Sequence, residues 1–290
     1  MSWPQVQRHR LPGGVTLQAL HWPCGAWDGA ATPRTPSAPP VVLVHGLADC
    51  SWVWQGMAPL LAQYREVWAL DLRGHGGSDH VEPGGYSVST MAEDVLAFVA
   101  QIGLVQPWLV GHSLGAAVAL RAAAQDARCF SALALVDYAV EVPANSLKLI
   151  RAVLASVHTT YASTEAFAEL LRRRHPLACG QLVRAIAAGA LRPAEGGFLP
   201  RFDPAVLSAL SHGDRLGDTS EPLARLQLPV LVVRGALSSM VSSEGARALA
   251  ATCLQARLAV VPLAGHSVQI DNPAGLLKAL QVESAAVLAG

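Results

Sequence analysis

The chain has 290 residues, 52% of them hydrophobic and 14% charged, with 21 Lys+Arg balancing 21 Asp+Glu. That length is near twice the rough 150-residue prior for one domain and allows one large α/β domain or a core with a smaller companion; the composition excludes a disordered chain and argues against a polyanion such as nucleic acid as partner. Only two basic residues are lysines, Lys148 and Lys278, which speaks against a polybasic membrane patch, and no run reaches the roughly 18 apolar residues of a membrane span.

Taken in chain order, Val6 to Trp22 reads as a hairpin broken at Pro12-Gly13-Gly14, followed by a Pro/Ala/Gly-rich connector from Cys24 to Pro40. Continuous apolar runs then recur at Val41–Val44, Val67–Leu70, Trp108–Val110, Leu133–Val136, Val230–Val233 and Leu258–Val261. Runs of that length suit strands covered on both faces. Helix-like stretches separate most of them: Thr90 to Ile102, with a capping box at Thr90-x-x-Glu93, then Leu114 to Gln125, Ser243 to Cys253 and Pro273 to Leu288. The alternation predicts an α/β fold, a mostly parallel, doubly wound sheet with helices on both faces.

Between the fourth and fifth runs the alternation lapses. The stretch shows only helical periodicity, at Leu147 to Val157, Thr164 to Arg174 and Gly180 to Ala190, and Arg172-Arg173-Arg174 fits a solvated face. The reading is a core of residues 1–138 and 222–290 interrupted by an all-helical insertion, residues 139–221. Cys24, Cys50, Cys129, Cys179 and Cys253 are scattered and odd in number, with neither a CxxC pair nor metal-ligand spacing. They read as free thiols, with no metal. Met1 to Leu11 lacks an apolar h-region, so the expected compartment is the cytoplasm.

The strongest local signal is Gly111-His112-Ser113-Leu114-Gly115, between the strand Trp108–Val110 and an Ala-rich helix. A GxSxG in that setting is a nucleophile elbow: the serine occupies a strained turn, and any Cβ at the flanking glycines would collide with the neighbouring strand and helix. Val44-His45-Gly46-Leu47, Asp71-Leu72-Arg73-Gly74-His75-Gly76-Gly77-Ser78 and Gly265-His266 follow other strands. With these residues the chain resembles the α/β-hydrolases over nearly its whole length, and specifically carboxylesterase-like serine hydrolases with the triad acid after the sixth strand. The frame is shared by esterases, thioesterases, lactonases, C–C hydrolases and some non-enzymes, so it implies the fold more sharply than the reaction.

The resemblance implies Ser113 as nucleophile and His266, just past the final strand, as its base. His45 and His112 flank turns that are structural in relatives, and the remaining histidines lack a partner motif. The acid departs from the commonest pattern. Relatives carry it in the turn after the strand corresponding to Pro229–Val233, where this chain reads Arg234-Gly235-Ala236-Leu237-Ser238-Ser239-Met240 with no carboxylate. Asp137, after Leu135-Val136, matches the location used by a minority of these hydrolases; Glu244, in the next helix, is the alternative. Asp137 keeps the chain order Ser, Asp, His, and a triad histidine requires an acceptor to fix its tautomer. By position, the N–H groups of Leu47 and Leu114 match the family's oxyanion donors.

Trp52 and Trp54 read as an apolar acyl wall or as core. Phe198 and Phe202, in a stretch resembling related caps, read as a roof over the substrate. Arg201 is a possible carboxylate ligand, and Arg73 is assigned to its Gly-rich loop. The expected activity is cofactor-free hydrolysis of a small-molecule ester of a small or medium, mainly apolar acyl group through an acyl-enzyme. Thioester release, lactone opening or cyclisation with the same triad, and a non-catalytic ligand-binding role, are the alternatives.

Overall fold

The computed structural model describes residues 3–25, 38–139, 152, 154, 156–209, 220–253 and 255–287. Most of the connector expected at Cys24 to Pro40, and of the helix expected at Leu147 to Val157, lies outside the described residues. The chain opens as expected with an antiparallel hairpin, β1 (Gln5–Arg10) and β2 (Thr16–Trp22). Strands β3 (Val41–Val44), β4 (Val67–Leu70), β5 (Trp108–His112) and β6 (Ala132–Val136) follow. Helix α1 (Val88–Ile102) lies between β4 and β5, and α2 (Leu114–Gln125) between β5 and β6.

Helix α1 starts earlier than its Thr90-x-x-Glu93 motif suggested. Ser87 is extended, its Oγ accepts the Thr90 N–H at 3.0 Å, and Thr90 Oγ1 accepts the Ser87 N–H at 3.2 Å. The box is therefore reciprocal, with a threonine in the usual place of Glu or Gln.

Residues 139–221 depart from the all-helical expectation. They include α3 (Thr164–Arg174) and α4 (Gly180–Ala190), but also an antiparallel hairpin, β7 (Leu191–Ala194) and β8 (Gly197–Pro200). Its turn passes through Gly196 at φ +76° and Gly197 at φ +145°, and a Cβ on Gly197 would sit 2.2 Å from the Tyr161 carbonyl oxygen. Only glycine fits that backbone. Within α4, Leu182 and Ile186 pack with the core of the main sheet, whereas Val183 and Ala187 pack with Val157, Phe167, Ala168 and Leu191 in a small core of their own. Each i, i+4 pair lines one stripe of the helix, so α4 joins the insertion to the body.

The chain then returns through β9 (Val230–Gly235), α5 (Ser243–Thr252), β10 (Ala256–Val261) and α6 (Pro273–Val287). The main sheet has eight strands in the order β1-β2-β4-β3-β5-β6-β9-β10, parallel from β4 to β10. Alternate residues of the apolar runs feed two cores: Val42, Val44, Leu109, Leu133 and Leu135 join Phe98 and Leu120 on one face, and Val41, Leu43, Val110, Ala134 and Val136 join Trp54 and Met57 on the other. This period of two explains why the central strands are apolar throughout.

Candidate active site

The site is built where β5, β6, β9 and β10 end. Ser113 sits at φ +51°, ψ −114° between β5 and α2, with its N–H on the Val136 carbonyl at 3.0 Å. A Cβ on Gly111 would lie 2.2 Å from the Gly115 carbonyl oxygen, and one on Gly115 would lie 2.3 Å from that of Val44. The two glycines let strand and helix close around the serine, which is held in a backbone region L-residues rarely adopt.

Asp137 leaves β6 at φ +46°, with its N–H on the Val233 carbonyl at 2.7 Å, and is buried. Its Oδ2 lies 2.8 Å from His266 Nδ1, and His266 Nε2 lies 3.2 Å from Ser113 Oγ. A carboxylate can only accept here, so Nδ1 carries the proton and Nε2 turns its lone pair toward the serine. Asp137 accepts two more bonds, from the Gly235 N–H to Oδ1 at 2.9 Å and from the Ser238 hydroxyl to Oδ2 at 2.5 Å. Glu244, the alternative acid, is exposed in the first turn of α5. The structure thus brings Ser113, His266 and Asp137 together and leaves Glu244 apart.

His266 is steered by its neighbours. His112 Nε2 donates to the His266 carbonyl at 2.9 Å, and the two rings lie 4.8 Å apart. Gln269 Nε2 approaches His112 Nδ1 at 3.1 Å. Burial first, and then the charge of His266, hold His112 well below the usual histidine range, so it is neutral. The Gly265 N–H donates to Asp271 Oδ2 at 2.8 Å, while Asp271 Oδ1 pairs with His175 at 2.8 Å. His175, given no partner from sequence, therefore couples the insertion to the turn that carries His266; a contact across 96 positions leaves no local motif.

Leu47 and Leu114 follow the β3 turn and the elbow serine. Among the described residues, neither backbone N–H has a protein acceptor. An unpaired N–H can stabilise an oxyanion that forms against it. The β3 turn is fixed from below by neutral His45, whose Nδ1 donates to the Gly46 carbonyl at 2.7 Å and whose Nε2 accepts the Leu72 N–H at 3.0 Å. Burial pushes His45 down to about 4. Two residues past Leu47, Asp49 Oδ2 stands 3.9 Å from His112 Nδ1; burial pushes this carboxyl up to about 6 against the opposing pull of His175, His266 and Arg174.

The expected pocket residues fall differently. Trp54 is fully buried in the core with Trp22 and Met57, not on an open acyl wall. The Trp52 ring packs on α4, where a Cβ on Gly189 would come within 1.9 Å of it, and it meets Trp3 at 5.7 Å. Phe198 packs against the insertion's own core and bridges Tyr161. Phe202 is buried with its ring 5.0 Å from His158. Arg73 is bidentate with Asp94 at 2.6 and 2.7 Å, and Arg201 Nε donates to the Leu191 carbonyl at 2.7 Å. Among the described residues, no His/Cys/Asp/Glu group of metal-holding composition occurs and no helix is long and apolar enough to cross a membrane.

An eight-stranded, mostly parallel sheet with a serine elbow and a histidine past the last strand defines the α/β-hydrolase class. The chain matches the family model of the alpha/beta hydrolase fold over residues 39–273, and it belongs to that family. It is 28% identical over 244 residues to the 2-(acetamidomethylene)succinate hydrolase of Mesorhizobium japonicum, covering 84% of this chain and 87% of that protein. To an esterase of Mycobacterium tuberculosis it is 27% identical over 285 residues, 96% of this chain and 89% of the relative. Among solved structures, E-2-(acetamidomethylene)succinate hydrolase superposes with a TM-score of 0.83 at 24% identity, covering 96% of this chain and 98% of that one. A thioesterase domain from the curacin biosynthetic pathway superposes with 0.79 at 24% identity, over all of both chains.

Proposed function

We propose that the protein is a serine hydrolase that cleaves a carboxylic ester of a small or medium, mainly apolar acyl group through an acyl-enzyme. The observation that carries this reading is the continuous chain from Ser113 Oγ to His266 Nε2 at 3.2 Å and from His266 Nδ1 to Asp137 Oδ2 at 2.8 Å. In the first half-reaction Ser113 Oγ attacks the carbonyl carbon as its proton passes to His266 Nε2. The tetrahedral oxyanion is held by the Leu47 and Leu114 N–H groups, each worth about 10²–10³ in rate by precedent. Collapse expels the alcohol, protonated by His266. Water, deprotonated by the same nitrogen, then releases the acid and restores Ser113. Asp137 holds the imidazolium formed in each step. These steps call on no cofactor.

The insertion, residues 139–221, is read as a cap: Asp203 ties it to the body through the Tyr86 hydroxyl at 2.6 Å and through its N–H to the Gly74 carbonyl at 2.8 Å.

A serine-directed fluorophosphonate probe is expected to label the wild-type protein and not Ser113→Ala, with turnover of p-nitrophenyl acetate or butyrate lost in the same variant. Absence of both labelling and turnover in the wild type overturns the enzyme reading. A panel of short esters, thioesters and lactones sets the bond class; a thioester or lactone preference of more than about tenfold in kcat/KM displaces the ester assignment.

A further inference from the structure

The loop after β9 contains no carboxylate, yet it is organised around one. Ser238 Oγ accepts the N–H groups of Met240 at 3.2 Å and Val241 at 3.1 Å. With its acceptor directions occupied, its own proton is aimed at Asp137 Oδ2, 2.5 Å away. The loop is held to shape by Arg234, whose guanidinium reaches the carbonyls of Val241 at 2.7 Å, Ala236 at 3.3 Å and Ser238 at 3.4 Å. It is also tied to the strand and turn that carry His266, since the Ala236 N–H donates to the Val261 carbonyl at 2.9 Å and the Leu237 N–H to that of Ala264 at 2.8 Å.

An aspartate's terminal torsion is soft, so burial alone does not fix which oxygen faces a partner. Here three donors fix it: Gly235 at Oδ1, Ser238 and His266 at Oδ2. We propose that Ser238 is a positioning residue of the hydrolytic site: its hydroxyl locks the Asp137 carboxylate in the orientation that presents Oδ2 to His266 Nδ1, and it draws off part of the charge that His266 senses. The inference rests on the reading of Ser113, His266 and Asp137 as the catalytic triad. A hydroxyl that only supported its loop would affect folding, whereas one that acts on Asp137 also changes how readily His266 takes a proton.

The test is the pH profile of kcat/KM on p-nitrophenyl butyrate for the wild type, Ser238→Ala, Ser238→Thr and Ser238→Cys. Losing the donor leaves more charge on Asp137 and favours the imidazolium. In Ser238→Ala the acid limb of the profile is therefore expected to move to higher pH by about half a unit, and kcat to fall about tenfold with KM within about twofold. Ser238→Thr restores both. Ser238→Cys keeps the bulk but has only a weak donor, so it shifts the limb in the same direction and serves if the alanine variant does not accumulate. Wild-type kcat in both Ala and Cys variants, or lowered activity with an unmoved acid limb, overturns the proposal. Asp137→Asn run in parallel separates the two levels. If it retains wild-type kcat, the triad reading itself fails; if it is inactive while the Ser238 variants match the wild type, only the role of Ser238 fails.

Discussion

Replacing Asp137 by asparagine is nearly isosteric, and the three donors around the carboxylate determine what it does. The new amide nitrogen must take the place of one oxygen. At the Oδ1 position it meets the Gly235 N–H, 2.9 Å away, donor against donor. At the Oδ2 position it meets the Ser238 hydroxyl and His266 Nδ1, 2.5 and 2.8 Å away. In the first orientation His266 keeps its proton on Nδ1, but a buried N–H is orphaned at a cost of about 1–3 kcal/mol. In the second, Nδ1 becomes the acceptor, the ring proton moves to Nε2, and the nitrogen 3.2 Å from Ser113 Oγ is no longer a base. By serine-protease precedent the wrong tautomer lowers kcat about 10⁴-fold, about 5 kcal/mol of barrier. The expected outcome in p-nitrophenyl butyrate hydrolysis is a kcat loss of about 10³–10⁴ with a urea-unfolding free energy lower by about 1–3 kcal/mol. Asp137→Asn within about tenfold of wild-type kcat, with Glu244→Gln inactive, would refute the reasoning and move the acid to α5.

Asp137→Ala combined with Ser238→Asp is expected to recover at least about tenfold in kcat over Asp137→Ala alone, because Ser238 Oγ already lies 2.5 Å from the oxygen that faces His266; equal activities refute this. Gly115→Ala would put a Cβ 2.3 Å from the Val44 carbonyl oxygen and 2.5 Å from that of His45, two backbone atoms where β3 passes into its turn. A loss of more than about 3 kcal/mol in thermal or urea unfolding is expected, and a wild-type melting temperature would contradict the packing. Burial holds His45 neutral down to about 4 and His75 to about 3 in the folded protein, whereas both protonate near pH of about 6.5 when unfolded. The unfolded state then binds more protons between these values, so their contribution is present above pH of about 6.5 and is lost as pH falls toward 4, about 3 kcal/mol for His45. Buried His112 adds to this, while the raised carboxyls of Asp49, Asp71 and Asp94 oppose it in part; a urea midpoint that rises from pH 6.5 to pH 4 would refute the sign.

Much of the frame was legible because it is written in local patterns. The runs at Val41–Val44 and Trp108–Val110 lie within central strands, and Gly111-His112-Ser113-Leu114-Gly115 turns where its glycines require. The β7–β8 hairpin left little trace in the hydrophobic pattern because Arg192-Pro193-Ala194-Glu195 separates its few apolar residues; Gly196-Gly197 was the available signal for its turn. Trp54 and Phe202 were drawn toward the pocket by their place in the chain, but their burial depends on which core closes over them, a property of tertiary packing. Ser238 was invisible for a different reason. A serine in a turn has many uses, and only the approach of Asp137 from another strand reveals the direction of its hydroxyl.

Sheet order accounts for the place of the acid in the proposed triad. The proposed nucleophile Ser113 leaves β5 and His266 follows β10, with β6 and β9 between them. His266 spans that gap because the turns after β9 and β10 lie close together: a Cβ on Gly235 would sit 2.1 Å from the Gly265 carbonyl oxygen. Any carboxylate that orients the histidine must come from the two intervening strand ends. Both ends meet at the Asp137 carboxylate in this chain: leaving β6, it accepts from His266 Nδ1, and Gly235 and Ser238 from the β9 end donate to it. A carboxylate at both ends would place two like charges within hydrogen-bonding distance in a buried site, which raises the proton affinity of one of them. With Asp137 at the end of β6, a hydrogen-bond donor is the residue type that the β9 turn can supply without that conflict, and the hydroxyl of Ser238 meets the requirement.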